Sequence, residues 1–202
     1  MTIDEIVTHA MAHDAAQNED ELRAIVEIVA EQRPRVVLEI GTLKGGTLAA
    51  WCQCAAPDAL IISVDLENGP WCGPRSVPDG YDHVLCALPQ PGQEFHLLRM
   101  DSRALSTLVR VDELLAGRRV DFLFIDGNHE LEPVTSDYET FSPLVADDGL
   151  IALHDILPIR GEPDARVHEL WRQIKDARPN ATRELIADSN PGHWGGIGVV
   201  AA

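Results

Sequence analysis

Apolar and polar positions along this chain switch between a helical period and short continuous apolar runs. Leu22, Ile25, Val26 and Val29 recur at helical spacing, and Asn18, with Glu21 three residues on, supplies the start signal. Pro34 stops that helix, and the N-terminal segment of about residues 1–33 reads as helical. Residues 35–40 (RVVLEI) then form a buried strand, 45–56 a helix and 60–65 (LIISVD) a second strand. Residues 66–93 are rich in Gly and Pro and predict a long loop, of a length that compact domains use as lids or binding loops. A third strand follows at 95–99 (FHLLR), Ser102 caps a helix that runs to Gly117, and 120–125 (VDFLFI) is a fourth strand. Leu131, Val134, Tyr138, Phe141 and Val145 mark a helix over 131–145, before a fifth strand at 149–153 (GLIAL). Val167, Leu170, Trp171 and Ile174 mark another helix, ended by Pro179. Residues 182–187 and 196–201 are closing strands, and the glycines between them predict an antiparallel finish.

Strands that alternate with helices predict an α/β fold with a mostly parallel sheet. Two hundred and two residues suit one domain, 1–202, with a sizeable core. The formal net charge of -17 opposes phosphate backbones and excludes nucleic acid as the expected partner. No apolar stretch reaches the roughly 20 residues that a membrane-spanning helix needs, and the first residues lack the pattern of a secretion signal. Cys52, Cys54, Cys72 and Cys86 are too few for a disulfide scaffold, and the first two lack a second pair for zinc. Reduced thiols and a cytoplasmic setting are expected. A homo-oligomer stays open, with the N-terminal helix as the surface that would pack against a second copy.

Chemistry gathers where strands end. Glu39-Ile-Gly41-Thr42-Leu-Lys44-Gly45-Gly46-Thr47 joins the first strand to a helix, where glycine admits a ligand close to the backbone and the helix start offers free N–H groups. Its spacing is not the GxGxxG of dinucleotide binders. Asp65, 24 residues after Gly41, ends the second strand, where a carboxylate can accept both ribose hydroxyls of a nucleoside. Asp101-Ser102 follows the third strand and offers an acceptor and a hydroxyl to adenine. Asp126 ends the fourth strand, His129 lies in the turn beyond it, and His154-Asp155 closes the fifth. Two carboxylates at adjacent strand ends repel unless a cation sits between them or one holds a proton, and oxygen ligands suit Mg²⁺ or a similar hard ion. One Asp contacting a cofactor while the other caps a helix would explain the same pair without a metal.

The stretches EIGTLKGGT, SVDLE, DSRA, FIDGNHELEPVTSDYETFSPLVADDGLIALHDI and GGIGVV resemble the small class I methyltransferase family that includes macrolide-sugar O-methyltransferases and cephalosporin-hydroxylase-type proteins. The resemblance runs from about residue 20 to the end. It implies a Rossmann-like seven-stranded sheet of order 3-2-1-4-5-7-6 with the last strand antiparallel and helices on both faces. S-adenosylmethionine would bind through Glu39, Gly41, Thr42, Lys44, Gly45, Thr47, Asp65, Asp101, Ser102 and Asp126. It further implies a divalent metal on Asp126 and Asp155, with His129 as the base that deprotonates a small-molecule hydroxyl. Metal-binding relatives often carry two adjacent acids where this chain has His154-Asp155, so His154 becomes the third candidate ligand. Two rival readings are a nicotinamide-dependent oxidoreductase, against which the missing GxGxxG argues, and a non-catalytic accessory protein that keeps the cofactor pocket. The acceptor pocket is expected from residues 67–93, with Trp71, Tyr81 and His83.

Overall fold

The computed structural model describes residues 1–66, 77–190, 192 and 194–202. Seven strands form one sheet: β1 (Val36–Ile40), β2 (Leu60–Asp65), β3 (Glu94–Arg99), β4 (Val120–Ile125), β5 (Val145–His154), β6 (Thr182–Leu185) and β7 (Ile197–Ala201). Their order is β3-β2-β1-β4-β5-β7-β6, with β7 antiparallel to both neighbours and the other pairs parallel. The helices are α1 (Ile3–Ala12), α2 (Glu19–Gln32), α3 (Gly46–Cys54), α4 (Asp82–Leu85), α5 (Leu105–Leu115), α6 (Leu131–Phe141) and α7 (Val167–Ala177).

Two apolar layers sandwich the sheet. Val36, Leu38 and Ile40 of β1 face the layer that holds residues of α5, α6 and α7, while Val37 faces the layer of α1, α2 and α3. That alternation follows from the strand period of two, and it sends Glu39 to the same face as Val37. On β4 the register shifts between Val120 and Phe122, so Val120 packs on one face and Phe122 and Phe124 on the other. Trp51 of α3 meets both phenylalanines, with ring centroids 5.0 and 5.1 Å away. Cys52 and Cys54 are buried in the same layer as free thiols; burial pushes Cys54 up to about 12, which leaves it inert at neutral pH.

Several element boundaries differ from the sequence pattern. The N-terminal helical segment is two helices, and α1 opens on a capping box between Thr2 and Glu5. Asn18 caps α2 as expected, accepting from the Asp20 N–H, but Glu21 turns inward to other partners. Ser102 does not cap a helix; α5 begins at Leu105 after a turn in which Asp101 Oδ1 accepts the Arg103 N–H. The helix expected over 131–145 ends at Phe141, a single 3₁₀ turn covers Ser142–Leu144, and Val145 already belongs to β5. The loop expected over 66–93 contains the short helix α4.

Candidate active site

The carboxyl ends of β1, β2 and β4 are tied together before any ligand is considered. The Gly41 N–H donates to the Val64 carbonyl and the Asp126 N–H to the Ile40 carbonyl, each at 2.8 Å. Gly41 has φ +90, and a Cβ there would lie 2.1 Å from the Asp126 carbonyl oxygen, so only glycine fits. Gly46, at the first turn of α3, is pressed against the backbone of Ala15 in the segment between α1 and α2. That segment is also held by an ion pair of 2.8 Å between Lys44 Nζ and Asp14.

Above these strand ends lies a cavity of about 800 Å³. Gly41, Thr42, Thr47, Asp65, Asp101 and Ser102 line one end of it. Asp126, His129, His154 and Asp155 line the other, with Trp194 from the β6–β7 connection. A cleft outside the carboxyl ends of parallel strands is where open α/β sheets hold ligands. At the first end Asp65 accepts from the Thr42 N–H at 3.1 Å and pairs with Arg99, which also grips Asp82 of α4 at 2.6 Å. Burial raises the Asp65 carboxyl above its ordinary value, against the pull of the Thr42 N–H and Arg99. Asp137, buried beneath on α6, carries a hydrogen bond with Ser102, and burial pushes its carboxyl up to about 6.

The second end concentrates charge. His154 Nδ1 lies 3.2 Å from Asp126 and 3.5 Å from Asp155, while His129 lies 3.5 Å from Asp126 and 3.4 Å from Asp155. Burial opposes charge on His154, but the carboxylates of Asp155 and Asp126 override it and hold its pKa well above the ordinary histidine value. Burial also works against both carboxylates; the imidazoles reverse this and hold Asp126 below, and Asp155 well below, the usual range. Asp155 sits in the left-handed region at φ 59, and its Oδ1 accepts the Gly195 N–H at 2.8 Å. Ligand atoms of Asp126, His154 and Asp155 all fall within 4.8 Å of one another. Two carboxylates and an imidazole at that spacing fit a divalent cation.

A family of methyltransferase domains matches residues 38–156, which covers every strand end just described from β1 to β5. The chain belongs to this methyltransferase family. Solved structures with the same fold include TomG, an O-methyltransferase from Streptomyces achromogenes involved in tomaymycin synthesis, crystallised with SAM. It is 15% identical, with a TM-score of 0.67 over 99% of this chain and 89% of that one. The calicheamicin methyltransferase CalS11 gives 0.62 at 16% identity, over 88% and 77%. An O-methyltransferase from Bacillus cereus in complex with SAH gives 0.62 at 17% identity, over 99% and 90%. An uncharacterised protein, y4gI of Sinorhizobium fredii, is 26% identical over 151 residues, 73% of this chain. The chain spans only 16% of that protein's length.

Not every residue expected at the methyltransferase's site reaches the cavity. Glu39 is fully buried behind the turn, where its Oε1 accepts from Thr47 at 2.8 Å and Trp51 at 3.0 Å, and its Oε2 from Thr42 and Ser63 at 3.1 Å. It braces the turn from beneath, and burial raises its carboxyl to about 7 despite those donors. Lys44 points to Asp14, and Gly45 packs over Leu85 and Leu88; neither lines the cavity. Of the stretch expected to shape the acceptor pocket, Val77 lines the cavity, Tyr81 packs against the core and His83 bonds the Gly80 carbonyl without lining it, and Trp71 and Cys72 fall outside the described residues. Gln17, which no motif marks, reaches the cavity from the α1–α2 connection and donates to Asp126 at 2.6 Å. Glu21, expected only as part of the helix start signal, has a buried carboxylate that accepts instead from Asn190 and from the Ala187 and Gly196 N–H groups.

Proposed function

We propose that the chain transfers the methyl group of S-adenosylmethionine to a hydroxyl oxygen of a small molecule, assisted by a divalent cation such as Mg²⁺. The observation that carries this reading is the division of one cavity into two ends. One end presents the glycine turn, an acid for ribose and the Asp101-Ser102 turn for adenine; the other presents two carboxylates and two imidazoles at the ends of β4 and β5. The printed descriptions of the neighbours, O-methyltransferases crystallised with SAM or SAH, support the same assignment.

In this reading Asp65 holds the ribose hydroxyls, and its contacts with Arg99 and the Thr42 N–H restrain its carboxylate. Asp126, Asp155 and His154 would hold the cation, which supplies a Lewis acid that lowers the pKa of the acceptor hydroxyl. His129, within the same cluster, takes the hydroxyl proton. The oxygen then attacks the methyl carbon in line, the carbon–sulfur bond breaks, and sulfur leaves as a neutral thioether. No group on the protein needs to bond covalently to the methyl, so the chain contributes alignment of donor and acceptor.

Isothermal titration with S-adenosylhomocysteine tests the donor half. Binding is expected, and Asp65→Ala should weaken it by about 1–3 kcal/mol as a buried hydroxyl pair loses its charged acceptor. Absence of binding by the wild-type chain, with NADH bound instead, would replace the reading with hydride transfer.

A further inference from the structure

Gln17 lies outside the stretch matched by the methyltransferase family, yet it touches the candidate cation centre. It is 5% exposed, and its Nε2 donates to Asp126 Oδ2 at 2.6 Å. The two imidazoles lie against the other oxygen of that carboxylate, Oδ1, at 3.2 and 3.5 Å. Gln17 therefore holds the back of Asp126 while its front faces His154, His129 and, beyond them, Asp155.

The orientation of the amide is fixed by chemistry. A flipped amide would set its carbonyl oxygen 2.6 Å from a carboxylate oxygen, acceptor against acceptor. With the donor on Asp126, Gln17 Oε1 is buried without a hydrogen-bond partner among the described residues. A glutamine that served packing alone would not need to leave one end unsatisfied; the unpaired oxygen is a cost accepted to put an N–H on Asp126. The backbone that carries it is itself pinned, by Lys44 on Asp14 and by the contact of Ala15 with Gly46. A donor fixed to a rigid segment is what a carboxylate ligand needs if it is to present one oxygen in one direction.

We propose that Gln17 is a positioning residue for the cation centre: it orients Asp126 as a ligand and couples the α1–α2 connection to metal affinity. This rests on the metal reading given above, and the test separates the two. Mn²⁺ binding is measured by calorimetry or electron paramagnetic resonance on the wild-type chain and on Gln17→Met, which keeps the length and volume but removes the donor. S-adenosylhomocysteine affinity in the presence of chelator is measured on the same samples. The expected result is a 10- to 100-fold loss of Mn²⁺ affinity in the variant, the usual range for losing an outer partner of a ligand, with cofactor-product affinity changed less than about threefold. Equal Mn²⁺ affinity in the two proteins overturns the role of Gln17 and leaves the metal reading standing. No Mn²⁺ binding by the wild type overturns both, while retained S-adenosylhomocysteine binding keeps the donor half intact. If Gln17→Met does not fold, Gln17→Asn, whose amide is one methylene too short to reach Asp126, is read in the same way.

Discussion

At the scale of single residues, the site is built from side chains whose ionisation is set by burial and partners rather than by residue type. Glu39 shows this most directly. The strand-end acid followed by glycine was legible as a motif, but the sequence suggested ligand contact, whereas the strand period turns Glu39 inward to a ring of three hydroxyls and the Trp51 N–H. Its folded-state pKa, about 7, stands above the ordinary 4.5, so between those values the native state holds more protons than the unfolded state. Stability contributed by protonated Glu39 is therefore present below about 4.5 and lost as pH rises to about 7. Glu39→Gln should flatten this part of the profile. Its amide oxygen can face Trp51 and Thr47 while its NH₂ donates to the hydroxyls of Thr42 and Ser63, which can turn to accept. Thermal unfolding followed from pH 5 to 8 checks it: wild-type stability should fall across the range and the variant's should not, after subtracting changes common to both. A parallel fall in the two proteins would remove Glu39 as the cause. Gln17 was illegible for a different reason. One polar residue in a connection has no period and no motif, and its importance exists only once the fold carries it to Asp126.

At the scale of elements, β1, β2 and β4 were plain in the sequence, because strands buried on both faces read as continuous apolar stretches, whereas β6, Thr-Arg-Glu-Leu with two exposed residues, has no such run. What failed was the edges of elements. β5 starts at Val145 because Val145 completes a pairing with Val120, although Ala-Asp-Asp-Gly after it looks like a turn and Asp147 and Asp148 are exposed. Ser102 looked like a cap because capping residues are also turn residues; here the turn keeps Ser102 at the cavity instead. The junction of β1, β2 and β4 depends on the absence of a side chain, and that can be isolated. Gly41 and Gly117 have similar backbone angles, φ +90 and +83, but a Cβ at Gly117 meets nothing within 4 Å. Gly117→Ala should lose only the left-handed penalty of about 1–2 kcal/mol. Gly41→Ala adds a backbone clash at 2.1 Å and should lose at least about 2 kcal/mol more, with S-adenosylhomocysteine binding abolished. Urea midpoints of the two variants compare them on one scale. Equal losses would mean that the strand ends can separate freely and that the turn is not the rigid floor described above.

At the scale of the whole molecule, 33 acidic residues face 16 lysines and arginines. Such a chain repels itself, so any salt should stabilise it by screening. A specific cation centre must therefore be read above that background. A ligand that binds the native state and not the unfolded one adds about 2.7 kcal/mol at a hundred times its dissociation constant. For a domain of this size that is a rise of roughly 5–10 °C in Tm. We expect Mg²⁺ or Mn²⁺ to raise Tm by this order beyond NaCl at equal ionic strength, and chelator to reverse it. The carboxylates that bring about this excess are few and identifiable. Asp126→Asn should erase it, whereas Asp148→Asn, which removes an exposed acid far from any assigned role, should leave it unchanged. The same preparations connect stability to chemistry, because a centre that binds the cation is also the one proposed to activate the acceptor hydroxyl. With a hydroxyl acceptor in hand, methyl transfer should stop in excess chelator and return on adding the divalent ion. His129→Ala should slow it by about 10²–10⁴, as expected for loss of a positioned base, with the Tm excess retained because His129 is not among the proposed ligands. Turnover that persists in chelator, together with no Tm excess, would leave the two carboxylates held by protein groups, the imidazoles, Gln17 and the Gly195 N–H, and the reaction free of metal.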